Sequence, residues 1–170
     1  MKSGANCRLC WSLLATVVII AGAAAYRLLS GGHTHVASDG RSEIVLAAAD
    51  RDMVLAEMRT FLGAVQGITT ALTRDDLQTV ASQARSVGAA AVGQIPPSLM
   101  QALPLEFKTL GRSVHADFDQ LALDAEQLGD RDVALRQLGD ILGKCVSCHA
   151  TYRLNAGTPP GPSHLAPAGG

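Results

Sequence analysis

The chain has 170 residues and a formal net charge of −1, from 14 Lys+Arg against 15 Asp+Glu, which is room for one ordinary domain plus a targeting segment. The basic residues are scattered singly, so there is no nucleic-acid footprint, and no nucleic-acid partner is expected. Only 4 % of residues are aromatic and β-branched residues are sparse, which disfavours an all-β fold, while four Cys are too few for a disulfide-built scaffold.

Lys2 and Arg8 precede an apolar run from Leu9 to about Ala25, strongest at Val17-Val18-Ile19-Ile20. Two readings stay open for residues 1–25. Ala23-Ala24-Ala25 offers small residues for signal-peptide cleavage before Tyr26. Alternatively an uncleaved helix from Leu9 to Leu29 reaches the roughly 20 residues a membrane span needs. In both, the basic side stays in the cytoplasm and the remainder is exported, so the expected location is periplasmic, soluble or tethered to the inner membrane by residues 9–29. Membrane contact is expected only without cleavage. Cys7 and Cys10 lie before the apolar run, and Trp11 after Cys10 excludes a haem-attachment motif there, so this pair reads as structural or incidental. Residues 26–41 read as a flexible linker, with His33 and His35 solvated rather than metal-bound.

Ser42 is the expected N-cap of a first helix running to Leu72. Val54, Met58, Phe61, Val65, Ile68 and Leu72 form a heptad seam along it. Thr73 and Asp76 resemble a capping box for a second helix to about Val92, with Leu77, Val80, Ala84, Val87 and Ala91 inward. Pro96-Pro97 break the segment from Gly93 to Pro104, whose Leu99, Met100 and Leu103 make an apolar loop that covers something. A third helix follows from Leu105 to Leu128, with Phe107, Leu110, Val114, Phe118, Leu121, Ala125 and Leu128 inward. Gly129 is its C-cap, and Asp130 starts a fourth helix with Leu135, Leu138, Leu142, Cys145, His149 and Tyr152 in register. Residues 155–170 have the composition of a disordered tail, in which His164 is inert. The expectation is an all-α, antiparallel up-down-up-down four-helix bundle over residues 42–154, behind an N-terminal apolar helix, with no segment that needs a sheet.

The chemistry-bearing segment is Lys144-Cys145-Val146-Ser147-Cys148-His149. C-x-x-C-H is the attachment signature of c-type haem. On a helix, residues three and four apart share a face, so Cys145 lines up with Cys148 and His149. Two thiols can then bond the two vinyl groups of one porphyrin while the imidazole reaches the iron from the same side. Zinc would need a fourth ligand, and none follows at useful spacing. A thioredoxin-type C-x-x-C belongs at the start of a helix after a strand, whereas this one lies late in a long helix. One haem c per chain, covalently bound, is the expected cofactor.

Phe107 to Leu154 resembles the last two helices of the class II cytochromes c, the cytochrome c′ family, in Cys145, Cys148, His149, Tyr152 and Arg153. Asp50 to Leu72 resembles the family's first helix, and the likeness covers about residues 43–154. The resemblance implies His149 as proximal iron ligand. It implies for the other iron face either an open site or, in low-spin relatives, a Met, whose position here is Met58; Met53 and Met100 are the alternatives. A Met on a helical seam is also ordinary core filler. Where family members often carry an Arg-Gln pair at the haem edge, this chain has Val54 and Leu55, which leaves Arg51, Arg59 or another cation for the propionates. Arg153 would pair with a propionate or shape the His149 side, unless it is simply exposed. His115 reads as boundary packing or a surface histidine, with a role at the haem as the alternative. Family members often dimerise through their first two helices, and Ala81, Ala84, Gly88 and Ala91 would permit such an approach.

The expected function is that of an exported monohaem electron carrier serving redox partner proteins outside the cytoplasm, with Cys145, Cys148, His149 and Arg153 holding the haem, and His149 and Met58 binding iron. No catalytic residue can be named, and an enzyme is not expected. A five-coordinate binder of nitric oxide or carbon monoxide, its distal face built from Met58, Phe61 and Val65, is the alternative, and a subunit whose haem is mainly structural is a third.

Overall fold

The computed structural model describes residues 4–29, 31–32, 34–93 and 95–157, so His33, His164 and residues 158–170 lie outside the described residues. The chain divides into two units at Gly31. The first is one helix, α1 (Gly4–Leu29), whose segment Leu9–Tyr26 is apolar and long enough to cross a membrane.

The second unit is mostly helical. It contains β1 (Thr34–Val36), β2 (Ser42–Leu46), α2 (Ala48–Leu72), α3 (Leu77–Arg85), a 3-10 turn at Ala89–Ala91, α4 (Pro97–Ala102), α5 (Leu105–Gln127), α6 (Arg131–Thr151) and β3 (Tyr152–Ala156). The three strands form a small sheet in the order β1-β2-β3, antiparallel and then parallel.

This sheet corrects three sequence-based expectations. Ser42 is not an N-cap but the first residue of β2, and the first helix starts only after Ala47. Ile44 and Leu46 alternate inward and are fully buried, a period-2 pattern that favours strand over helix. The linker over residues 26–41 contains half of a hairpin, closed by Ala37 N–H to Arg41 O at 2.8 Å, with Gly40 at φ 82° in a conformation glycine adopts at little cost. Residues 155–156, placed in the tail, extend β3, where Ser42 to Leu46 pair in register with Tyr152 to Ala156.

The helix ends also shift. Thr73 caps the C-terminus of α2, and Asp76 itself is the N-cap of α3, accepting from Thr79 N–H at 3.0 Å. The second helix stops at Arg85 rather than Val92. The loop after it folds into the one-and-a-half turns of α4, which buries Leu99, and Leu103 is buried just beyond. Gly129 ends α5 at φ 60°, and Asp130 caps α6 by accepting from Asp132 and Val133 N–H.

α3 packs against both α2 and α5, and α5 against α6, whereas α2 and α6 meet only sparsely. The main core gathers Ile68, Val80, Phe118, Leu121, Leu138 and Ile141 among others. A second cluster joins Ile44 and Leu46 of the sheet to Val54, Leu99 and Leu103. The inward line of α6 is Ala134, Leu138 and Ile141 rather than the expected Leu135 and Leu142, which are exposed. Leu128, past the end of α5, is exposed too. Of the small residues offered for dimer contact, Ala81, Ala84 and Gly88 are buried within the chain and Ala91 is exposed.

Candidate functional site

Several of the expected seam residues that are not fully buried lie together. Met58, Phe61 and Val65 of α2, Phe107 and Leu110 of α5, and Leu142 of α6 all line a single cavity of about 810 Å³. Its walls come from α2, α5 and α6, with Val87, Val92, Ile95, Leu99 and Leu103 adding to them. The volume falls in the range of roughly 300–1,000 Å³ typical of cofactor pockets. The lining is mainly apolar, and its charged or titratable side chains are Glu57, Arg59, His115, Lys144, Cys145, Cys148 and His149.

α6 delivers Cys145, Cys148 and His149 together to this cavity because their spacing of three and one keeps them within one turn of a single face. Both thiols are free and half-buried. Burial pushes each of them above the ordinary thiol value, and the Cys145 thiol beside it adds to the rise at Cys148. They lie in the last two turns of the helix, away from its N-terminal end, where a thiolate would be favoured. Lys144 also reaches the cavity and is tied to α5 by Asp117 and by a hydrogen bond to Ser113 Oγ at 3.2 Å.

Of the three methionine candidates, Met58 and Met53 line the cavity and Met100 does not. Met58 is half-buried, whereas Met53 is 44 % exposed. Arg59 lines the cavity, but Arg51 does not and is paired with Asp52 at 3.0 Å. Arg153 is absent from the lining as well. Its guanidinium meets Glu43 Oε1 at 3.1 Å and Asp39 Oδ2 at 3.6 Å, which ties β3 to the β1–β2 hairpin.

His115 sits in the cavity wall with its side chain 11 % exposed. Its Nδ1 is 2.8 Å from Val87 O, its Nε2 is 3.3 Å from Glu57 Oε1, and its ring lies 4.9 Å from that of Phe61. Both nitrogens are therefore engaged by oxygen acceptors, which fits wall packing better than ligation.

Sequence reasoning missed Glu57, and beyond the expected inward residues Val87 and Ala91 it missed Val92 and Ile95. Glu57 falls one residue off the apolar seam, so periodicity alone treats it as solvated. Leu99 and Leu103 were foreshadowed by the apolar loop, and the cavity is what they cover. No family model, no curated protein and no solved structure matches this chain.

Proposed function

We propose that the chain is an exported monohaem c-type cytochrome that carries electrons, with α2, α3, α5 and α6 as an up-down-up-down bundle of the class II type. The observation that carries this reading is the single apolar cavity lined at once by Cys145, Cys148 and His149 from α6 and by Met58 from α2. The donor set fits haem: two thiols for covalent attachment, an imidazole, and a soft thioether from a second helix. Zinc is the weaker reading, because it needs a fourth ligand and none follows the motif at useful spacing.

Haem, when bound, would supply a one-electron iron couple. The chain's own residues do the rest. Cys145 and Cys148 would hold the haem through thioethers, each thiol adding S and H across one vinyl group so that attachment needs no oxidant, while His149 from α6 and Met58 from α2 would be the iron's imidazole and thioether donors. Phe61, Val65, Phe107 and Leu110 exclude water, and Arg59 and Lys144 are the cavity's cations for the propionates. No residue is assigned a catalytic role. With residues 9–29 taken as a signal or anchor, this reading puts the domain in the periplasm, soluble after cleavage or tethered, with redox proteins there as its partners.

Gas binding is the second reading, because Phe61 and Val65 keep the Met58 side apolar whether or not the sulfur binds. The deciding experiment is production of the full chain in a host with c-type haem maturation, followed by acidic solvent extraction. Haem that stays with the protein, and is lost in a Cys145→Ser/Cys148→Ser variant, supports the proposal. Haem absent or fully extracted overturns both readings and returns the site to thiol or zinc chemistry.

A further inference from the structure

The last carbonyls of a helix have no partner within it, and a helix that ends on a proximal ligand must satisfy them some other way. α6 has no glycine C-cap: it runs directly into β3 at Tyr152, whose backbone is already extended. The hairpin supplies the missing donor. Arg41, 108 residues away in sequence, donates from Nη1 to His149 O at 3.2 Å, with a longer contact to Tyr152 O at 3.4 Å.

Arg41 is itself held in place. Its Nε and Nη2 donate to Asp39 Oδ2 at 2.9 and 2.8 Å, and its backbone N–H donates to Asp39 Oδ1 at 3.1 Å. This pairing keeps the Asp39 carboxyl below the usual carboxylate range, so it stays ionised. The fork therefore presents its remaining nitrogen to the α6 terminus at little further entropic cost, and a cation there complements the helix dipole. The strand immediately after the motif is fixed by the same hairpin, through the Ser42–Tyr152 and Glu43–Arg153 pairings and the Arg153 ion pairs.

We infer that Arg41, braced by Asp39, is a positioning residue for His149: it locks the final turn of α6 and so fixes the imidazole's approach to the iron. This rests on the haem reading. Groups outside the coordinating set commonly orient metal-bound histidines, usually through the second ring nitrogen; here the hold is on the ligand's own backbone.

The test uses the full haem-loaded chain and three variants, Arg41→Ala, Arg41→Lys and Asp39→Asn. Covalent haem content, thermal unfolding and the ferric paramagnetic-resonance spectrum are measured on each. Arg41→Ala is expected to keep the parent's haem content, because the thioethers do not depend on it, but to split the ferric signal into two species. Arg41→Lys, which keeps the charge and a single donor nitrogen but loses the fork, is expected to restore most of the single species. Asp39→Asn unbraces the fork without removing it and is expected to give the same splitting as Arg41→Ala in weaker form, which keeps the question decidable if Arg41→Ala does not accumulate. A ferric spectrum identical to the parent's in Arg41→Ala and Asp39→Asn overturns the inference, even with a lower unfolding temperature, since Arg41 would then merely hold the hairpin. A parent without covalent haem is a failure of the haem reading instead, and is seen before any variant is compared.

Discussion

His115 and Glu57 form a half-buried pair across α5 and α2, with Nε2 and Oε1 3.3 Å apart, and the second ring nitrogen of His115 faces Val87 O at 2.8 Å. Only the imidazolium can donate to both oxygens at once. The Glu57 carboxylate, and then the Val87 carbonyl, raise the His115 pKa from its ordinary value near 6.5 against the opposing effect of burial, with the more distant Asp119 adding to the rise. A raised folded-state value means the pair stabilises the fold fully below the unfolded value and loses that contribution as pH rises through the folded one. The unfolding temperature of the parent should therefore exceed that of Glu57→Gln most below about pH 6.5, the ordinary histidine value. The difference should shrink at higher pH. A pH-independent difference would show that the pair adds packing but no charge.

Asp130 makes a second, independent contribution. Its carboxylate accepts from Asp132 N–H at 2.8 Å and Val133 N–H at 3.0 Å, satisfying two of the unpaired donors at the start of α6. Asp130→Ala should cost about 1 kcal/mol, within the usual 0.5–2 kcal/mol for such caps, read as a lower urea midpoint. Asp130→Asn should recover most of it. The site lies at the other end of α6, so the absorption spectrum of the haem-loaded chain should not change.

The long helices α2, α5 and α6 were legible because apolar residues recur at +3 and +4 along them, and because Gly129 and Asp130 punctuate the chain as elementary capping chemistry requires. Residue types at the site were legible for a similar reason: Cys145, Cys148 and His149 are close in sequence, and helical spacing alone brings them to one face. The sheet was not. Ser42-Glu43-Ile44-Val45-Leu46 is too short for period-2 alternation to stand out beside the helix that follows, and its partner Tyr152-Arg153-Leu154 lies at the far end of the domain. Pairings of that separation leave no local signal, which is why Arg153, expected at the haem, instead meets Glu43 and Asp39, and why Arg41 went unnoticed. The inward line of α6 was misjudged at Leu135, which outweighs Ala134 in hydrophobicity yet is exposed, whereas the small side chain of Ala134 is buried in the main core.

Phe118 tests how the core supports the cavity. It is 1 % exposed and stacks on Phe61 at 5.5 Å with the planes 16° apart, and Phe61 is the residue that lines the cavity beside His115. Phe118→Ala should destabilise by about 3–5 kcal/mol through lost burial and the void left behind, while Phe118→Leu should lose much less. Guanidinium unfolding distinguishes them. Because the void opens directly behind Phe61, the alanine variant should also show a broadened haem absorption band at denaturant concentrations where it is still folded; an unchanged band would mean that α2 holds Phe61 without help from α5.

Met58 decides between the two readings of the iron site. Leucine is close to methionine in volume, so Met58→Leu should change stability by less than about 1.5 kcal/mol while removing the only sulfur on that seam. If the thioether ligates, the parent is low-spin with a sulfur-to-iron charge-transfer band, and Met58→Leu becomes high-spin and gains affinity for carbon monoxide in the ferrous state. Met53→Leu serves as the matched control, because Met53 lines the same cavity from a more exposed position. Loss of the band in Met53→Leu with retention in Met58→Leu would move the ligand by five residues along α2. A parent already high-spin and five-coordinate would leave Met58 as wall packing and favour gas binding, with Phe61 and Val65 setting the size of the open face.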